Sequence, residues 1–235
     1  MCIRDSTTDE VTFTQSDPGC PELSYNTYGT LNNPIISGLY YRLLFTITMC
    51  NDYLKQTTDE RLNDRGVDDA LRANIQYYRS ETRFLRALMY YHAMDMFGNT
   101  PFITENDPIG TYLPPQRSRA ELYSFIESEL LELSDDPHMT EPRQNEYGRA
   151  DKAAVWMLLS RLYLNAEVYI QTPKYDECMK YARNVISAGY DLCPNYAELF
   201  MADNGENTDA RKEMIFTINF DGRWTQSYAT QFLVA

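Results

Sequence analysis

Tyr25-Asn26-Thr27-Tyr28-Gly29-Thr30-Leu31-Asn32-Asn33 and Asp221-Gly222-Arg223-Trp224-Thr225-Gln226-Ser227-Tyr228 are two short segments that mix flat aromatic rings with amides. A pyranose has apolar C–H faces and a rim of hydroxyls. A site for one needs an exposed aromatic plane with Asn, Gln, Asp or Arg at its edges. Both segments offer those types in loops, where an exposed ring costs little. The alternative for each ring is that it folds back onto neighbouring helices.

A third oxygen-rich stretch, Asp203-Asn204-Gly205-Glu206-Asn207-Thr208-Asp209, has the donors that Ca²⁺ prefers. Its spacing departs from the EF-hand loop, which ends on a bidentate Glu at the twelfth position, so a solvated turn is the competing reading. Nucleophilic catalysis has little to work with. The chain has only His92 and His138, and no G-x-S-x-G, P-loop, H-E-x-x-H or dinucleotide fingerprint occurs. Glycosidases use a carboxylate pair, but among 34 acidic residues some pair is always available and proves nothing. Glu127, Glu129 and Glu132 read as the solvated side of a helix.

Helical periodicity supplies the elements that would carry these loops. Leu39, Leu43, Ile47, Cys50 and Leu54 form one apolar stripe, predicting a helix over 35–56. A polar break follows over 57–66, then a long helix from about 68 to 97 with Phe84, Leu88 and Tyr91 at helical spacing. Gly98 stands where a helix ends in positive φ, and Pro101 forbids continuation. Four prolines make 98–117 a loop. Ser118-Arg119-Ala120-Glu121 is a capping box opening a helix to about 133. Further helices are expected at 149–167, at 174–188 closed by Gly189, and briefly at 196–201. Met214-Ile215-Phe216-Thr217-Ile218-Asn219-Phe220 reads as a strand.

Trp156-x-x-Leu159-Ser160-x-x-Tyr163 matches the first-helix phrase of a tetratricopeptide repeat with Ser for Gly. The small residue admits a close partner helix, whose contact face would be Tyr175, Cys178, Ala182 and Val185. The pair 84–97 and 118–133 repeats the arrangement, with Phe84 and Tyr91 in the places of Trp156 and Tyr163. Each such hairpin leaves a face that only stacking covers. The expected fold is therefore mainly α: stacked tetratricopeptide-like hairpins with long loops and a short β element near the C-terminal end. A plain helical bundle is the simpler alternative. The expected organisation is a non-native leader (1–6), an irregular N-terminal arm (7–34), the tetratricopeptide-like helical region (35–202) and the truncated start of a loop-rich ligand-binding region (203–235).

The net charge of −13 argues against nucleic acid and against an anionic membrane surface. No apolar run reaches the roughly 18 residues of a spanning helix. Five cysteines show neither C-x-x-C nor zinc spacing. Met1–Ser6 and the apolar stop at Phe232-Leu233-Val234-Ala235 read as the ends of a piece cut from a longer chain.

Glu81 to His92 followed by Phe97-Gly98-Asn99-Thr100-Pro101-Phe102, and the phrase Gly148 to Tyr163, occur in the order seen in the SusD/RagB family. Thr8-Asp9-Glu10, Asn51-x-Tyr53-Leu54, Gly189-Tyr190-x-Leu192-x-Pro194-x-Tyr196-x-x-Leu199-Phe200 and Glu213-x-Ile215-Phe216 also resemble that family. The resemblance implies a non-catalytic, lipid-anchored protein of the outer membrane that captures glycan, the starch-binding subfamily being nearest. It implies a partner too, a SusC-like TonB-dependent transporter. On it, Tyr28 takes the place of an arm aromatic with Asn32 as an edge donor, and Trp224 and Tyr228 lie in the second candidate loop. Tyr28 replaces the Trp expected of a starch binder. Asp203 corresponds to a family Ca²⁺ ligand, with no other cofactor required. The alternatives are a tetratricopeptide-type protein–protein adaptor and a helical glycoside hydrolase.

Overall fold

The computed structural model describes residues 17–27, 33–108, 110, 112–220 and 223. Its helices are α1 (Cys20–Ser24), α2 (Pro34–Gln56), α3 (Asp59–Asp64), α4 (Asp69–Phe97), α5 (Arg119–Asp135), α6 (Lys152–Leu164), α7 (Ala166–Ile170), α8 (Tyr175–Ser187) and α9 (Thr208–Glu213). A 3₁₀ turn covers Tyr196–Phe200. The sheet among the described residues is one antiparallel pair, β1 (Thr100–Pro101) with β2 (Gln116–Arg117), Thr100 facing Arg117.

Residues 46–218 form one compact unit, and the described parts of 1–45 and 219–235 belong to a second. Within the second, Asn33 donates to the Gly19 carbonyl at 2.9 Å while its Oδ1 accepts from the Ile35 and Ile36 amides, fixing the start of α2. Gly19 has φ 94°, and a Cβ there would meet the Asn33 side chain at 2.9 Å.

Inside the larger unit the predicted punctuation holds. Asp68 caps α4 through the Leu71 amide, and Gly98 ends that helix at φ 73°. The Ser118 hydroxyl accepts from the Glu121 amide while Glu121 accepts from the Ser118 amide, completing the capping box of α5. Asp151 takes the amides of Ala153 and Ala154 to open α6.

Two antiparallel hairpins, α4/α5 and α6/α8, stack through α5 on α6. Phe84, Ala87, Tyr91 and Met94 from α4 bury against Leu122, Ile126, Leu130 and Leu133 from α5. Leu159, Leu162 and Tyr163 do the same on α6. Ser160 gives the close approach that its size permits: its hydroxyl lies 3.3 Å from the Cys178 carbonyl of α8, and Tyr163 stacks on Tyr181 with ring centroids 5.8 Å apart. This is the tetratricopeptide-like architecture.

Several expectations are corrected. Met214–Phe220 forms no strand. No neighbouring strand is present among the described residues to take its hydrogen bonds; Ile218 and Phe220 stay exposed, and Phe216 docks on a helix instead. Phe216 meets Phe84 edge-on at 5.3 Å. The short β element lies instead at Thr100–Arg117, and α9 precedes the expected strand. The polar break after α2 holds α3, nucleated by the Thr58 cap and the buried Leu62. The arm contains α1. On α8 the buried position is Tyr181 rather than Tyr175, whose exposed hydroxyl bonds Glu167 at 2.6 Å. The helix expected at 149–167 is broken at Asn165, and α7 continues it.

Candidate functional site

The glutamates expected to solvate α5 instead tie it to its neighbours. Glu129 is 13% exposed at its side chain and takes Arg83 at 2.9 Å and Arg86 at 2.9 Å. Glu127 receives Lys174 at 2.6 Å, and only Glu132, at 66%, stands in solvent while pairing with Arg83. Arg86 is the centre of the network. Its guanidinium also donates to Asn51 Oδ1 on α2 and to Glu105 in the loop after β1. Burial works against charge on Glu129, but hydrogen bonds from Arg83 and Arg86 and their two positive charges outweigh it and hold the carboxyl below the usual range. Residue type alone puts acids in solvent; the basic partners of these lie more than forty residues away in sequence.

This network positions the loop 98–117. The Tyr90 hydroxyl donates to the Ile103 carbonyl at 2.7 Å and accepts from the Ile103 amide at 2.9 Å, and Asn51 donates to the same carbonyl. Burial pushes the Tyr90 phenol up to about 12, so it stays protonated to hold both contacts. Thr104 closes on Asp107 through its amide and hydroxyl, and Lys55 of α2 donates to the Asp107 carbonyl.

Between α2 and this anchored loop lies a cavity of about 370 Å³. Met49, Pro108, Pro114 and the Tyr112 ring supply apolar surface, while Asp52, Lys55 and Glu105 stand at its edge. Asn51 and Asp107 are spent on holding the loop; Asp52, Lys55 and Glu105 line the cavity with charged groups. One accessible ring face beside carboxylates and an ammonium is a surface chemically suited to a sugar ring.

A second cavity, about 390 Å³, opens between the 143–151 turn and α9. Asp151 sits at its floor, buried and saturated by the Arg143, Ala153 and Ala154 amides. Burial is the largest influence on this carboxyl and raises its pKa against the amide hydrogen bonds that lower it.

Of the residues singled out from sequence, Tyr28, Asn32, Trp224 and Tyr228 lie outside the described residues. Asp203 is described and exposed; its backbone carbonyl accepts from the Glu206 and Asn207 amides. Nearby donors are otherwise engaged: Asn207 Oδ1 caps α9 and Asp209 pairs with Lys212. Ca²⁺ takes six to eight oxygens, and among the described residues no group of three His, Cys, Asp or Glu gathers to hold a metal. The described donors do not make a Ca²⁺ site by themselves. His138 bonds Asp136, and His92 lies beside the Tyr91 ring. The Tyr112 cavity was missed because it joins α2 to a loop fifty residues away. Its only sequence signal is the aromatic among four prolines.

Fold and site together define a stack of tetratricopeptide-like helical hairpins carrying long, anchored loops. No protein-family model matches the chain. It is 45% identical over 190 residues to the starch-binding protein SusD of Bacteroides thetaiotaomicron, covering 81% of this chain and 32% of that one. Among solved structures, the surface glycan-binding protein A from Bacteroides uniformis superposes with a TM-score of 0.61 at 26% identity, over 78% of this chain and 38% of that one. A laminarin-binding SusD-like protein gives 0.69 at 24%, over 90% and 45%. The chain belongs to the SusD/RagB family, and it spans about a third of the length of the curated relatives it matches.

Proposed function

We propose that this protein captures oligosaccharide without chemically altering it, as a surface-exposed lipoprotein of the outer membrane that delivers the ligand to a TonB-dependent transporter. The observation that carries the reading is the Tyr112 cavity, an aromatic and proline wall beside Asp52, Lys55 and Glu105 on a loop held by buried side chains. Relatives named for starch, laminarin and surface glycan binding support it. Starch or a related glucan is the first ligand to try, given the 45% identity to the starch-binding relative. Tyr28, Trp224 and Tyr228 are the further proposed ring contacts, with Asn32 at an edge.

Affinity electrophoresis against a panel of neutral glucans tests capture, and a reducing-end assay tests catalysis. Retardation on a glucan with no reducing ends released is the expected result. Tyr112→Ala weakens that retardation about tenfold by removing the exposed ring face. Lack of retardation on every glycan sinks the reading, and release of reducing ends makes the protein a hydrolase instead. Co-purification from detergent-solubilised membranes tests the transporter partner. Ca²⁺ at Asp203 is a separate proposal that needs oxygens outside the described residues. A melting temperature that EGTA leaves unchanged would remove it.

A further inference from the structure

The second cavity has a charge opposite to that of the chain. Against a net charge of −13, its lining carries Arg143, Arg149, Arg211 and Lys212 with only two acids, Glu146 and Asp151. Two of the four cations are satisfied: Arg149 forks onto Glu81, and Lys212 pairs with Asp209 at 2.6 Å. The other two are not. Arg143 donates to the neutral carbonyl of Gly189, and among the described residues neither it nor Arg211 has a carboxylate partner. Asp151 cannot serve, since backbone amides already take its oxygens and the Tyr190 hydroxyl adds to them at 3.4 Å. Glu146 lines the cavity but pairs with neither Arg143 nor Arg211; its side chain is 83% exposed and lies 3.9 Å from Arg149.

Each unpaired guanidinium lies over an aromatic ring, Arg211 4.6 Å from the Tyr147 centroid and Arg143 5.6 Å from that of Tyr190. A guanidinium over a ring face is steadied by the cation–π attraction while its N–H donors stay available to a planar oxyanion. It also occupies a face of each ring that a neutral pyranose would otherwise stack on. The cavity's size, about 390 Å³, falls in the usual range of small-ligand sites, roughly 300–1,000 Å³.

We propose that the cavity between the 143–151 turn and α9 binds a carboxylate-bearing sugar, a hexuronate unit whose carboxylate is taken by Arg143 and Arg211. The sugar half rests on the capture reading above; the carboxylate half rests on the two unpaired guanidiniums.

Calorimetric titration of the 235-residue chain with digalacturonate, maltotriose and sodium sulfate decides it. Digalacturonate binds, and Arg143→Gln and Arg211→Gln each weaken it about tenfold or more while leaving maltotriose binding unchanged. Glu146→Gln tightens it severalfold by removing a repelling charge, a gain that a merely structural role would not produce. Arg211 is exposed on a short helix, so its variant folds even where the Arg143 variant does not; the melting curve of each is recorded. Absence of digalacturonate binding, or binding indifferent to both arginine variants, overturns the proposal. Sulfate binding as tight as digalacturonate overturns it too, reducing the cavity to a plain anion site. Maltotriose binding without digalacturonate binding overturns it and leaves the capture reading standing.

Discussion

Arg86 of α4 and Glu129 of α5 are joined Nη2 to Oε2 at 2.9 Å, with the arginine side chain 3% and the glutamate 13% exposed. A pair so placed is costly to break from one side only, because the surviving charges stay buried. Glu129→Leu leaves Arg86 with only Glu105 and Asn51, and Arg83 with only the exposed Glu132, and should cost about 3 kcal/mol in urea unfolding, the low end for breaking a buried pair from one side. Glu132→Gln alters a partner that is 66% exposed and should cost less than about 1 kcal/mol. Equal losses from the two would show that the buried pair has no special role.

The same carboxylate sets an acid limb. Burial raises its pKa, but the hydrogen bonds and charges of Arg83 and Arg86 prevail, so the native pKa lies below the ordinary 4.5. A depressed acid contributes stability that is present above its unfolded pKa and is lost as pH falls through its native one. Urea midpoints should therefore drop as pH falls below about 4.5, and Glu129→Gln should flatten that part of the drop. A variant with an unchanged slope would assign the acid limb to other carboxylates.

Ser160 marks the closest approach of α6 to α8. Ser160→Ala removes a hydroxyl contact to the Cys178 carbonyl and should cost about 0.5–1.5 kcal/mol. Ser160→Leu forces extra atoms between the helices and should cost about 1–3 kcal/mol or more. If the leucine variant melts with the parent, the two helices are not packed as closely as this hydroxyl implies.

Tyr90→Phe keeps the buried ring but removes the hydroxyl that bridges the Ile103 amide and carbonyl. The carbonyl keeps Asn51, while the amide loses its partner, at a cost of about 1–3 kcal/mol. Hydrogen exchange at 102–107 should speed up, and glucan affinity at the Tyr112 cavity should fall without any direct contact being removed. Unchanged exchange would show that the loop is held by other contacts.

Much of this molecule was legible as sequence because helix signals are local. The Leu39–Leu54 stripe, the Ser118 cap and Gly98 each act within a turn or two of chain, so period and punctuation located α2, α4, α5 and α8 almost to the residue. The Trp156–Tyr163 phrase carried more, since the small Ser160 encodes how near another helix comes. Non-local relations were not legible. Met214–Phe220 has the composition of a strand, but a strand exists only with a partner, and Phe216 found Phe84 instead.

Sequence by itself determined the long helices α2, α4, α5 and α8, their ends and their pairing into tetratricopeptide-like hairpins, because backbone hydrogen bonding and side-chain period are settled within a few residues; the short α1, α3, α7 and α9 it did not. Tertiary structure alone decided which charges are buried and which rings stay accessible. Glu129 became a largely buried residue only when Arg83 and Arg86 came alongside it. Tyr112 and Arg211 face open cavities only because chain far away in sequence forms the opposite walls.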